Sequence, residues 1–171
     1  MGVILIGPMG AGKSELGKSL ARRLGLGFVD LDKQIVAQAE MTIPEIFSRL
    51  GEKVFRQYEA QCLAQAVDSK QQVLATGGGV VLRESNRKLL HQNPPVVWLD
   101  APPEVLASRI AGDANRPLIA DVDPLVKARE LDTVRRPLYA ECANLHVRTD
   151  QFDAEQAVDY IIAYLTESGH A

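Results

Sequence analysis

Gly7-Pro8-Met9-Gly10-Ala11-Gly12-Lys13-Ser14 decides the fold, because it joins the apolar run Val3-Ile4-Leu5-Ile6 to a pattern of Leu16, Leu20, Ala21 and Leu24. The apolar run predicts a buried strand, and the spacing that follows predicts a helix. Glycines at both ends of the connecting loop let backbone N–H groups turn inward around an anion without Cβ clashes. The helix then points its positive amino-terminal end at the same place. In such a P-loop Lys13 reaches the β- and γ-phosphates of a nucleoside triphosphate, and the Ser14 hydroxyl ligates Mg²⁺. The alternative is a glycine-rich strand-to-helix turn that binds nothing.

The rest of the chain agrees with a sheet of this kind. Its 171 residues, 46% hydrophobic and 24% charged, suit one globular domain that needs no disulfide or metal staple. Short apolar runs at Val3–Ile6, Gly27–Val29, Val73–Thr76, Val96–Leu99 and Leu145–Val147 alternate with helical patterns. That alternation predicts an α/β fold, a five-stranded parallel sheet with helices on both faces. In the last helical stretch, Ala154, Ala157, Val158, Ile161, Ile162 and Leu165 form one packing stripe. Between the second and third strands, residues from about 33 to 69 make a long helical insertion, in which Thr42 and Glu45 form a capping box with Pro44 in the first turn. An insertion there can overhang the carboxyl ends of the strands and bind substrate. A second segment, about 112 to 123, is rich in Gly, Asp and Pro, carries Arg116 and reads as a lid.

A net charge of -3 and a pI near 5.6 argue against a duplex nucleic-acid partner and favour small molecules. Cys62 and Cys142 stand apart with no metal-ligand spacing, so both read as reduced thiols. With no secretory or membrane-spanning pattern, the expectation is a soluble, cytoplasmic protein with no membrane partner. The absence of a spare apolar helix stripe predicts a monomer.

Four constellations carry chemistry. Val29-Asp30-Leu31-Asp32 ends the second strand, and strand alternation puts both carboxylates on one face at its carboxyl end. One can hold Mg²⁺ and the other can orient a hydroxyl or take its proton. Alternatively, Asp32 caps a helix beginning at Lys33. Arg56 and Glu59 lie three apart in Gly51-Glu52-Lys53-Val54-Phe55-Arg56-Gln57-Tyr58-Glu59. A surface ion pair is the plain reading, whereas Phe55 beside Arg56 favours a bidentate anion site. Thr76-Gly77-Gly78-Gly79-Val80 has three consecutive glycines, which points to a ligand against the backbone or else a tight turn. Finally Arg109, Arg116 in Arg116-Pro117-Leu118-Ile119 and Arg135 in Arg135-Arg136-Pro137-Leu138-Tyr139 suggest anion clamps, with Arg129 and Arg136 read as solvated helix residues.

In this order and spacing, from about Val3 to Asp150, these motifs closely resemble the shikimate kinase family. The resemblance implies a nucleoside-monophosphate-kinase-like P-loop fold and transfer of a phosphoryl group from MgATP to the 3-hydroxyl of shikimate, a step toward chorismate and the aromatic amino acids. It implies ATP contacts at Gly10, Ala11, Gly12, Lys13, Ser14 and Glu15, with Arg109 against adenine and Arg116 paired with Lys13 on the phosphates. Asp32 takes the shikimate hydroxyls, Arg56 and Arg135 its carboxylate, and Gly78 and Gly79 touch it through the backbone. Ser14 and Asp30 fall on the Mg²⁺ side, and Glu59 holds Arg56. Lys13, Asp32 and Arg116 are thus the catalytic candidates.

Two positions depart from the family. Glu15 stands where a small hydroxyl residue is common, and Thr149-Asp150-Gln151-Phe152 lacks the proline often found beside adenine. The competing readings are a sibling kinase of gluconate or a nucleoside monophosphate, and a nucleotide-binding regulator without turnover.

Overall fold

Val3–Ile6 (β1) runs through the middle of a five-stranded sheet whose order is β2-β3-β1-β4-β5. A computed structural model describes residues 2–111 and 123–170. The other strands are Gly27–Asp30 (β2), Gln72–Ala75 (β3), Val96–Asp100 (β4) and Leu145–Arg148 (β5), and every pairing is parallel. The expected α/β architecture is therefore the one formed, with strand ends shifted by a residue.

The helices are Lys13–Leu24 (α1), Leu31–Ala39 (α2), Ile43–Leu50 (α3), Glu52–Val67 (α4), Glu84–Gln92 (α5), Pro103–Ile110 (α6), Pro124–Cys142 (α7) and Ala154–Glu167 (α8). Alternation along β1 divides the core between the two sheet faces. Ile4 and Ile6 join Leu74, Val96 and Trp98 under α2, α4, α5 and α7. Val3 and Leu5 join Val73, Val97, Leu99 and Val147 under α1, α6 and α8. Strands buried on both faces lose the polar alternation of a half-exposed sheet, hence their nearly continuous apolar runs.

The chain winds from β1 to one side through β2 and β3, then to the other through β4 and β5. A crevice consequently opens at the carboxyl end of β1, where ligands sit in open parallel sheets. Gly7 begins the loop there with φ 141°, and a Cβ on it would collide with the Leu99 carbonyl of β4. No residue with a side chain fits that approach.

The insertion from 33 to 69 holds most of α2 and all of α3 and α4. It turns at Glu40, whose φ is 53°, and at Gly51, whose φ is 86°. Thr42 caps α3 as its spacing predicts: its Oγ1 accepts from the Glu45 N–H at 3.3 Å, and Glu45 Oε2 accepts from the Thr42 N–H at 2.8 Å. The capping contacts hold the Glu45 carboxyl below the usual carboxylate range. Thr42→Ala is expected to lower stability by about 1 kcal/mol, read as a shift of the urea midpoint without a change in slope.

Candidate active site

Two cavities open at the carboxyl ends of the strands, with volumes of about 600 and 570 Å³. The first runs along the P-loop from Met9 to Leu16 and on to Arg109, Thr149, Phe152 and Asp153. The second is walled by Phe47, Phe55, Arg56, Glu59 and Arg135. They share Met9, Ser14, Asp30, Asp32, Gly77 and Gly78. A group bound in one can therefore be handed to a group bound in the other at those residues. A further cavity of about 430 Å³ lies at the opposite, amino-terminal edge of the sheet and has none of them in its wall.

The first cavity is built for anions. Gly10 and Gly12 hold φ of 83° and 92°, and Gly12 begins α1 without a side-chain cap. The amides of the first turn are thereby left to the cavity. Lys13 is buried, and its ammonium donates to the carbonyls of Gly7 at 2.6 Å and Pro8 at 2.8 Å. Arg109 is oriented by the Gly10 carbonyl, Thr149 Oγ1 and the Thr149 carbonyl, each at 3.1 Å. Glu15 is exposed in the cavity wall, and the Lys18 ammonium lies 6.0 Å from the Phe28 ring centroid.

The two aspartates converge by a different route from strand alternation. β2 stops at Asp30 and α2 begins at once with Leu31, so Asp32 stands in a helical first turn. Asp30, not Asp32, is the cap: its Oδ1 accepts from the Asp32 N–H at 3.0 Å. Its Oδ2 accepts from the Ser14 hydroxyl, also at 3.0 Å. A hydroxyl beside a carboxylate supplies the hard oxygen donors that Mg²⁺ prefers. Among the described residues no group of three or more His, Cys, Asp or Glu can hold a metal alone. The pair therefore fits an ion that takes its remaining ligands from phosphate and water.

Arg56 and Glu59 form no surface pair. They are 8% and 1% exposed, with Nη1 2.9 Å from Oε1. Glu52 adds a contact to Nη2 at 3.4 Å, and the Phe55 ring centroid lies 5.1 Å from the guanidinium carbon. Burial lifts the Glu59 carboxyl above its ordinary range, outweighing the downward pull of Arg56. The three glycines after β3 explain how these charges fit. A Cβ on Gly79 would collide with the Arg56 guanidinium. On Gly78 it would lie 3.2 Å from Arg135 Nη1, and on Gly77 it would lie 3.0 Å from Asp32 Oδ1 and 3.2 Å from Glu59 Oε2. The missing side chains make room for the site's own charges.

Tyr139 was not legible as part of the site. It is buried, its hydroxyl donates to the Gly78 carbonyl, and burial pushes its pKa well up. Phe55 beside Arg56 is legible in the sequence, but Phe47 in the same apolar wall is not, because helix residues that face a cavity look in sequence like helix residues that face a core. Arg136 is a correction: it is not simply solvated but forks onto buried Asp100 at 2.9 and 3.0 Å. Arg129 is exposed, as a solvated helix residue should be, and pairs with exposed Glu104 at 2.9 Å. Arg116 and nearly all of the lid segment 112–123 lie outside the described residues.

Residues 9–166 match the family model described as shikimate kinase. The chain belongs to the shikimate kinase family. Among relatives, the shikimate kinase of Symbiobacterium thermophilum is 43% identical over 99% of this chain and 98% of its own. That of Pseudomonas fluorescens is 46% identical over 87% of each. Among solved structures, the shikimate kinase of Acinetobacter baumannii in complex with shikimate superposes with a TM-score of 0.94 at 39% identity, covering 98% of this chain and 93% of the other. That of Aquifex aeolicus gives 0.86 at 31% identity, covering 99% and 98%. The chain thus has the fold and the enzyme class of a shikimate kinase, an ATP-dependent phosphotransferase of aromatic biosynthesis. Among the described residues no helix is long and apolar enough to cross a membrane.

Proposed function

We propose that the first cavity takes MgATP, the second takes shikimate, and the γ-phosphoryl group passes to the 3-hydroxyl where the two cavities meet. The observation that carries this reading is the shared wall of Ser14, Asp30, Asp32, Gly77 and Gly78, with the arginines Arg56 and Arg135 in the acceptor cavity alone. A small hydroxylated carboxylate fits that arrangement: its anionic end meets the two guanidinium groups, while a hydroxyl reaches Asp32.

In this reading the P-loop amides of Gly10, Ala11, Gly12, Lys13, Ser14 and Glu15 cradle the phosphates, and Arg109 lies along adenine. Lys13 and Arg116 neutralise charge on the transferring group. Ser14 and Asp30 hold Mg²⁺, which when bound offsets charge on the phosphate oxygens. Asp32 orients the acceptor hydroxyl and takes its proton, and the backbone at Gly78 and Gly79 lines the substrate. Phosphoryl transfer depends on alignment and charge neutralisation, so fixed donors matter more here than a strong base. Residues 33 to 69 serve as the substrate-binding insertion and 112 to 123 as a lid that excludes water, within one domain of residues 1–171 that works as a cytoplasmic monomer.

The test is ADP release with MgATP and shikimate, against gluconate and nucleoside monophosphates as acceptors. Turnover with shikimate alone supports the reading. Turnover with another acceptor moves the substrate, and ATP binding without turnover supports a regulator. Asp32→Asn is expected to lower the single-turnover rate about 100-fold, at the low end for loss of a proton acceptor. An unchanged rate would remove Asp32 from both roles.

A further inference from the structure

We propose that Arg136, held by Asp100, is a positioning residue that fixes the proline-interrupted turn of α7 and so aims Arg135 into the acceptor cavity. The inference rests on the assignment of Arg135 to the substrate carboxylate.

Pro137 lies inside α7. It has no N–H to donate to the carbonyl of residue 133, and its ring crowds that carbonyl, so the helix is free to bend there. Arg135 stands in the weakened turn. It is 5% exposed, near the Gly78 backbone and the hydroxyl of Tyr139. Its direction depends on the rotation and tilt of a turn that lacks a normal backbone bond.

Arg136 supplies what that turn lacks. Its Nε lies 3.1 and 3.2 Å from the two carboxylate oxygens of Asp132, and its Nη2 lies 3.0 Å from Asp132 Oδ1. A side-chain staple thus spans the interrupted turn. The same guanidinium donates from Nη1 to Asp100 Oδ2 at 2.9 Å and from Nη2 to Asp100 Oδ1 at 3.0 Å. Asp100 is the last residue of β4 and is 1% exposed. His146 Nε2 on β5 meets the same Oδ2 at 2.9 Å. The His146 ring stacks on Trp98 at 3.9 Å between centroids, and the Arg136 guanidinium carbon lies 5.2 Å from the Trp98 ring. The helix is therefore fastened to β4 through a carboxylate that β5 braces from its other side.

A two-point fork fixes orientation as well as distance. Successive helix positions differ by about 100°, so a clamp on Arg136 sets the direction in which Arg135 leaves the helix. An ordinary surface pair would do no such thing, because neither partner would be anchored. Here the acceptor carboxylate is buried in the sheet, and its removal would leave the guanidinium without a fixed point.

The experiment compares kcat, KM for shikimate and KM for ATP in Arg136→Met, Arg136→Lys, Arg136→Met/Pro137→Ala and Arg135→Met. Arg136→Met is expected to raise KM for shikimate about tenfold while KM for ATP stays within about twofold, the signature of a misplaced binding group. Restoring a continuous helix with Pro137→Ala is expected to recover most of that loss. An unchanged KM for shikimate in Arg136→Met, equal rises in both KM values, or an undiminished loss beside Pro137→Ala would each overturn the inference. If Arg136→Met does not fold, Arg136→Lys gives the same test, with a KM for shikimate expected about threefold above wild type because the fork is lost and the charge kept. An unchanged KM for shikimate in Arg135→Met would instead overturn the reading of the acceptor cavity beneath it.

Discussion

Lys13→Met is expected to lower kcat by about three orders of magnitude, with KM for shikimate within about twofold of wild type. The ammonium stands at the turn of the P-loop, buried and oriented by the carbonyls of Gly7 and Pro8. In the reading proposed above, that anchored ammonium meets the phosphates and needs little rearrangement as charge develops on the transferring group. Loss of one such donor costs about 10²–10³ in kcat, and a loose phosphoryl transition state that spreads charge over its oxygens favours the upper figure. Methionine keeps the length and much of the packing of the lysine stem. It does leave two loop carbonyls without their donor, at about 1–3 kcal/mol for each buried group. Unfolding by urea therefore accompanies the kinetics, so that a chemical loss can be told from a structural one. A folded variant that retained more than about a tenth of the wild-type kcat would contradict the role given to Lys13.

What could be read from the sequence was what is local. The P-loop, the capping box at Thr42 and the stripe on α8 each depend on residues a few positions apart, and their geometry follows from the spacing. Asp30 and Asp32 were placed correctly at the cavity but for the wrong reason. α2 starts directly after β2, and nothing in Val29-Asp30-Leu31-Asp32 shows where strand spacing gives way to helix spacing. The three glycines after β3 were read as room for a ligand. Their room is also taken by Arg56, Arg135, Asp32 and Glu59, which come from helices distant in sequence. Arg136 looked solvated because its decisive partner, Asp100, is 36 residues away on another element. Long-range charge pairing leaves no period in the sequence, so it becomes legible only once the sheet order places β4 beside α7.

Arg56→Met is expected to destabilise the protein by about 3–5 kcal/mol at pH 7, because it leaves Glu59 as a buried charge without its cation. Glu59 is 1% exposed and meets Arg56 Nη1 at 2.9 Å. Even with that partner, burial holds its pKa above the ordinary value of 4.5. A carboxyl with a raised pKa binds more protons in the folded state than in the unfolded state. Its contribution is complete below 4.5 and is lost as pH rises through the raised value. Removing Arg56 takes away the largest opposing pull, so the window widens upward and the deficit at pH 7 deepens. Lowering the pH toward 5 is expected to return much of the lost stability by protonating Glu59, against a smaller gain in wild type, where Arg56 opposes the rise. Arg56→Met/Glu59→Gln removes the stranded charge, so it is expected to be more stable than Arg56→Met at pH 7 and to show no such recovery. Urea unfolding of the variants between about pH 5 and 8 decides this, and equal deficits at both ends would refute the account of the buried pair. Both variants lack the guanidinium, so both are expected to show KM for shikimate raised at least about tenfold, the size of one charge-assisted carboxylate bond. A double variant that regained stability without regaining shikimate affinity would separate the two tasks of Arg56, neutralising Glu59 within the fold and receiving the substrate carboxylate in the cavity.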